Sequence, residues 1–185
     1  MEDQGGRQRN LNATAASLLG FLHDGPKTGW DLAATAQLVI GDFWSLTPSQ
    51  VYRELTAMAA AGLVEAGAPG PRGSVRYDLT ATGRDAFERW IRTAPATEHI
   101  RFPLLLTIEF GRHLPAELLA GFVRDHQAAH AGKLAGYERL RSEATRSGNA
   151  DPYAMATLDF GISYERAVLA WFKSLPSQIK GTTGE

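Results

Sequence analysis

Apolar residues recur at steps of three and four near the start of the chain. Leu11, Ala15, Leu18, Leu19 and Leu22 predict a helix over residues 12–23. Asp24-Gly25-Pro26 ends it, because Gly is the usual helix stop and Pro cannot continue the hydrogen-bond ladder. Thr28 opens a second helix through a capping-box variant, with Asp31 in place of the usual Glu. Trp30 or Leu32, with Ala33, Ala36 and Leu38, gives that helix a short apolar face. The third helix has the strongest start signal: Thr47 at the N-cap, Pro48 at the first helical position and Gln50 three residues after the cap. Val51, Leu55, Met58 and Ala59 form its buried side, while Ser49, Arg53, Thr56 and Ala60 lie away from it. Gly62 ends it.

Two short strands follow, at 63–65 and 75–79, joined by a Gly- and Pro-rich turn or loop over 67–73. Thr80 caps a fourth helix, 81–92, with Phe87, Trp90 and Ile91 on its apolar side. Ala94-Pro95-Ala96-Thr97 marks a boundary, after which the pattern is helical. A short apolar segment at 102–110 and a joint at 111–114 precede a long helix, which Pro115 opens and which runs to about residue 147. Its stripe is Leu119, Phe122, His126, His130, Leu134 and Tyr137. The last helix, from Pro152 to about residue 174, has two stripes. One is Met155, Leu158, Ile162, Leu169 and Phe172; the other is Phe160, Tyr164, Val168, Trp171 and Leu175. A helix packed on one partner needs one apolar face, so the second face is expected to meet a second subunit. The alternative is a helix central to a single core.

A capped helix feeding directly into a short basic hairpin is the arrangement a winged helix uses on DNA. The expected fold is mainly α: an N-terminal winged helix-turn-helix with a two-stranded wing over residues 11–93, then an all-helical dimerisation domain over 98–176. The polar residues 1–10 are expected to form a disordered leader.

Charge limits this reading. The chain has 19 basic and 20 acidic residues, and residues 1–92 hold nine and ten of them. A DNA footprint must therefore come from local placement, at Lys27, Arg53, Arg72, Arg76 and Arg84. The absence of cysteine excludes disulfides, thiolate metal sites and a Cys nucleophile, and suits a reducing cytosol. The first residues lack the apolar region of a signal peptide, and no apolar run is long enough to cross a bilayer, so a cytoplasmic location is expected.

Ordered fragments along the chain resemble the PadR family of transcriptional regulators. Leu18-Leu19-Gly20-Phe21-Leu22 followed by Gly25-Pro26-Lys27-Thr28-Gly29-Trp30-Asp31-Leu32 is similar to that family's first two helices. Phe43-Trp44-Ser45, then Ser49-Gln50-Val51-Tyr52, resembles the approach to its recognition helix, and Leu55 with Ala61-Gly62-Leu63-Val64 continues the match. Tyr77-Asp78-Leu79-Thr80-Ala81-Thr82-Gly83 resembles the family's turn into the fourth helix. Phe102-Pro103-Leu104-Leu105-Leu106 and Leu114-Pro115 are similar to the start of its helical C-terminal domain. Arg53 departs from a frequent Pro, and the wing tip carries the single cation Arg72. The resemblance implies a sequence-specific DNA-binding repressor of nearby genes, with a small-molecule effector in some members, no cofactor and no catalytic site.

The candidate DNA contacts follow. Ser49, Gln50 and Arg53 face bases or phosphates, since Gln pairs with adenine edges and Arg with guanine or phosphate. Thr47 and the free amides behind it favour a phosphate. Tyr52 matches the family's Tyr, with a phosphate contact and edge-of-core packing as its two readings. Lys27 and Thr28 offer a second phosphate site, Arg72 a minor-groove contact, and Arg76 with Tyr77 the outgoing strand's contribution. Leu158, Ile162, Leu169 and Phe172, helped by Leu18, are the expected dimer interface. Trp44, Tyr137, Tyr164 and Trp171 are candidates to line a pocket for a small apolar or aromatic effector.

Two other readings compete. His126 and His130 have the spacing of a metal pair on one helix face, but no zinc-protease Glu accompanies them and both lie on an apolar stripe. The near-neutral charge also fits a winged helix that binds protein.

Overall fold

The computed structural model describes residues 11–98, 100–148 and 150–181, with the side chain of Arg72 excepted; the expected leader at 1–10 lies outside them. The chain divides at the Thr97–Glu98 bond into two compact units.

The first unit contains α1 (Ala13–Leu22), β1 (Lys27–Thr28), α2 (Gly29–Val39), α3 (Pro48–Ala60), β2 (Val64–Ala66), β3 (Arg76–Leu79) and α4 (Ala81–Ile91). Caps define its helices. Asn12, Thr28, Thr47 and Thr80 each accept a hydrogen bond from a backbone N–H in the first turn they precede. A cap of this kind is worth about 1 kcal/mol. Packing supplies the rest: Leu18, Leu19 and Leu22 of α1, Leu32 and Ala36 of α2, Val51, Leu55 and Met58 of α3, and Val64 of β2 form one buried cluster.

The two expected wing strands form, as β2 and β3, and a third strand joins them. The sheet has three antiparallel strands in the order β1-β3-β2. Lys27 pairs with Tyr77 and Thr28 with Arg76 on one side of β3; Val64 pairs with Leu79 and Ala66 with Tyr77 on the other. A two-residue strand leaves no periodicity to read, which is why β1 was invisible before folding. On α2, Leu32 rather than Trp30 is buried, while Trp30 and Leu38 are exposed. Two residues turn the helix by about 200°, so Trp30 and Leu32 cannot share a face. Ile91 is likewise exposed.

Gly83 shows how tightly α4 meets the hairpin. A Cβ there would lie 2.1 Å from the Leu63 carbonyl oxygen. Thr80 reinforces the junction, its hydroxyl donating to the Gly62 and Leu63 carbonyls and accepting from Gly83 N–H.

The second unit contains α5 (Pro103–Glu109), α6 (Ala116–Ser147), α7 (Pro152–Ser174) and a short α8 (Ser177–Lys180) that the periodicity did not predict. Helices α6 and α7 run antiparallel, tied by His130–Glu165, Arg166–Glu138 and Arg141–Asp159 pairs. Gly148, at φ 70°, supplies the left-handed residue that ends α6. The core is small: Val123, Phe172 and Leu175, with Leu104, Ile108, Val168, Leu169, Trp171 and Ile179 packed against them.

The expected dimer set needs correction. Leu18 is fully buried in the first unit's core. Ile162 and Phe172 are buried within the second unit, and Leu169 packs on the same cluster. These side chains are consumed by intrachain packing; Leu158 remains partly exposed. The apolar side chains left outward include instead Leu105, Leu106, Phe110, Leu118 and Phe160.

Candidate nucleic-acid interface

Helix α3 presents a polar face beside the wing. Thr47 Oγ1 accepts from Gln50 N–H at 3.2 Å, while Gln50 Oε1 accepts from Thr47 N–H at 2.8 Å and from the Thr47 hydroxyl at 3.1 Å. This box fixes the helix start but changes the role expected of Gln50. A bidentate adenine contact needs both amide atoms, and Oε1 is already engaged.

Helix α2 starts differently. Thr28 Oγ1 accepts from Asp31 N–H, and the Asp31 carboxylate accepts from the Thr28 hydroxyl at 2.8 Å and from Thr28 N–H at 3.1 Å. These bonds to Thr28, with the nearby charges of Arg76 and Lys27, hold the Asp31 carboxyl below its ordinary pKa. The positive end of α2 is therefore already occupied by an anion, and the Thr28 hydroxyl has no proton left to donate. A phosphate at Thr28 is disfavoured. The start of α3 carries no acidic residue in its first turn, so the Ser49 N–H, left over beside Pro48 and the capped Gln50 amide, is the better phosphate seat.

Ser49 and Arg53 are exposed on α3. Arg53 has a side chain 70% exposed and lies 3.7 Å from Glu54, a surface pair too weak to hold it. Glu54 also accepts from Asn12 Nδ2. Tyr52 is 49% exposed, and its ring rests on α2: a Cβ at Gly29 would come within 2.5 Å of it. That close approach requires glycine and was not visible from spacing.

Strand β3 alternates. Arg76 points outward and Tyr77 inward, where Tyr77 packs on the first unit's core. Tyr77 is thus half-buried against the core, as a period of two dictates with Leu79 half-buried on the same face. Lys27 is half-buried on β1 opposite Tyr77. Arg72 sits in a single tight turn, Pro71–Gly73, at the wing tip. Gly73 has φ 73°, and Gly70 N–H donates to the Ser74 carbonyl at 2.6 Å.

The remaining candidates divide between the units. Trp44 belongs to the first and is partly exposed. In the second, the Tyr137 ring covers Gly161, Tyr164 stacks with Phe102 and Phe160, and Trp171 meets Phe172. Burial, then the Glu165 charge, raises the Tyr164 pKa above the ordinary phenol value. His130 does not pair with His126; its Nδ1 meets Glu165, which is 2% exposed. Glu165 falls in register with Ile162, Leu169 and Phe172, and its charge hid it from a search for apolar stripes.

These elements define a winged helix-turn-helix followed by a helical unit. A profile of the PadR-like transcriptional regulator family matches residues 18–89, and one described as virulence activator alpha C-term matches residues 100–180. The negative transcriptional regulator PadR of Bacillus subtilis (strain 168) is 25% identical over 179 residues, covering 88% of this chain and 95% of the relative. Its crystal structure in complex with operator DNA superposes with TM-score 0.74 at 22% identity, covering 91% of this chain and 99% of that one. The same relative in complex with p-coumaric acid gives TM-score 0.67 at 21% identity, covering 91% and 97%. The PadR-like regulator BC1756 from Bacillus cereus gives 0.79 at 19%, covering 92% and 99%. The Vibrio cholerae virulence activator AphA gives 0.67 at 21%, covering 91% and 97%. The chain belongs to the PadR-like family of transcriptional regulators, a family of regulators and not of enzymes.

Proposed function

We propose that this protein is a homodimeric, cytoplasmic repressor that binds an operator through α3 and the wing. The observation that carries the proposal is the free face of α3. Ser49, Tyr52 and Arg53 are exposed, the helix start is neutral and capped, and no acidic residue occupies its first turn. Arg53 and the Ser49 hydroxyl meet base edges or phosphates, the Ser49 amide takes a phosphate, and Arg76, Lys27 and the wing residue Arg72 add contacts to the DNA backbone. Thr47 and Gln50 serve by holding the helix start. Two copies related by a two-fold axis present two such faces to half-sites about one helical turn apart, doubling a small cationic set.

The outward apolar side chains of the second unit, Leu106, Phe110 and Phe160 among them, supply the dimer contact, with Leu158 at its edge. A small aromatic effector acts on the second unit, which carries Tyr137, Tyr164 and Trp171; the p-coumaric acid complex of the B. subtilis relative supports that class of ligand. For the cytoplasmic location, no helix among the described residues is long and apolar enough to cross a membrane.

A footprint of the purified protein on the DNA upstream of its own gene tests partner, symmetry and spacing together. Two protected half-sites are expected, with affinity falling steeply as salt rises. Arg53→Ala should weaken binding at least tenfold. Absence of protection at low salt, with Arg53→Ala indistinguishable from the parent, overturns the proposal.

A further inference from the structure

Beside the polar face of α3 lies a groove of about 270 Å³ that this reading leaves unassigned. Its lining is almost wholly apolar and contains no cation. From α2 come Trp30, Ala33, Ala34 and Gln37, spaced to lie on one helix face. From the start of α3 and the turn before it come Leu46, Pro48 and Tyr52. Two large aromatics thus border a groove whose one polar side chain is the exposed amide of Gln37. Trp30 is 71% exposed, an unusual position for a Trp with no packing role. Tyr52 is fixed by its seat on Gly29.

The groove is continuous with the recognition face, since Pro48 and Tyr52 flank Ser49 and precede Arg53. An uncharged, apolar groove is poorly matched to a phosphate. Among the groups that base pairs present in the major groove, the apolar one is the thymine C5-methyl. We infer that this groove is a specificity pocket for a thymine methyl of the operator, with Trp30 and Tyr52 as its contacting aromatics. The inference rests on the DNA-binding reading above and adds Trp30, Ala33 and Ala34 to the residues that select sequence.

The test uses the full-length protein and its footprinted operator. Each thymine of a half-site is replaced singly by deoxyuridine, which removes the methyl and keeps the pairing, and affinity is read by fluorescence anisotropy at constant salt. Wild type should lose about fourfold at one or two positions, the value of burying one methyl group. Trp30→Ala, which opens the groove, and Ala34→Leu, which fills it, should bind thymine and deoxyuridine duplexes equally. Both positions are exposed, and Ala34→Leu carries the test if Trp30→Ala does not fold. Equal affinity of wild type for every substituted duplex overturns the inference while leaving the DNA reading intact, as does discrimination that persists in both variants. A change in assembly mass of Trp30→Ala without DNA, with discrimination unaltered, also overturns it and assigns the groove to a second copy of the chain. Failure of wild type to protect any operator overturns the DNA reading and this inference together.

Discussion

Helix α1 buries five of its ten residues, whereas α6 buries three of its 32. The first unit closes its own core: short helices surround Leu18, Leu19, Leu32, Val51 and Leu55, and every helix that bears on the DNA face is started by a side-chain cap. The second unit is built on two long paired helices around a small buried cluster, and it leaves Leu106, Phe110 and Phe160 outside. The difference teaches where each unit finds its stability. The first rests on one closed buried cluster, with Trp30, Leu38, Phe43 and Trp44 exposed outside it. The second exposes apolar side chains that one copy does not cover, the condition under which association becomes favourable.

The contrast can be broken most forcefully in the first core. Leu55→Ala should lower the unfolding free energy by about 3 kcal/mol, within the usual range for a buried leucine, as measured by urea denaturation. In the second unit, Glu165→Ala removes the partner of His130 and should cost about 2–3 kcal/mol, while Glu165→Gln, which keeps a hydrogen-bonding oxygen, should cost less. Equal losses for the two would show that the hydrogen bond carries little. Leu106→Asp should leave unfolding of the first unit unchanged but raise the dimer dissociation constant tenfold or more in sedimentation equilibrium. An unaltered constant would place the contact elsewhere.

Smaller effects sharpen the account of the caps and junctions. In an ordinary helix Gly→Ala stabilises by about 1 kcal/mol. Gly83→Ala should do the opposite, because its Cβ would collide with the Leu63 carbonyl; a rise in thermal midpoint would refute the close packing described here. The weakest effect belongs to Asp31. Its folded pKa is lowered, so its contribution is present above the ordinary aspartate range and is lost as pH falls through the lowered folded value. The stability difference between wild type and Asp31→Asn should therefore shrink on strong acidification and stay constant near neutrality.

Much of the first unit was legible because its signals are local. Thr47-Pro48-Ser49-Gln50 and Thr28-Gly29-Trp30-Asp31 carry their capping hydrogen bonds within four residues. Val51, Leu55 and Met58 lie on one face whatever they pack against. The site was less legible. Gln50 looks the same in sequence whether it caps or reads a base, and only its rotamer distinguishes the two. Tyr77 looked like part of a basic strand until the sheet set which face of β3 turns inward.

The sequence by itself determined the order and type of the main elements, the starts of α2, α3 and α4, and the resemblance to PadR regulators, because periodicity, caps and motifs act over a few residues. Tertiary structure alone decided the third strand, the inward turn of Tyr77, the burial of Ile162 and Phe172 and the placement of Glu165 against His130. It also brought Tyr52 onto Gly29 and set Trp30 beside the recognition helix. Each of these joins residues far apart in the chain, and a contact of that kind has no local pattern from which it can be read.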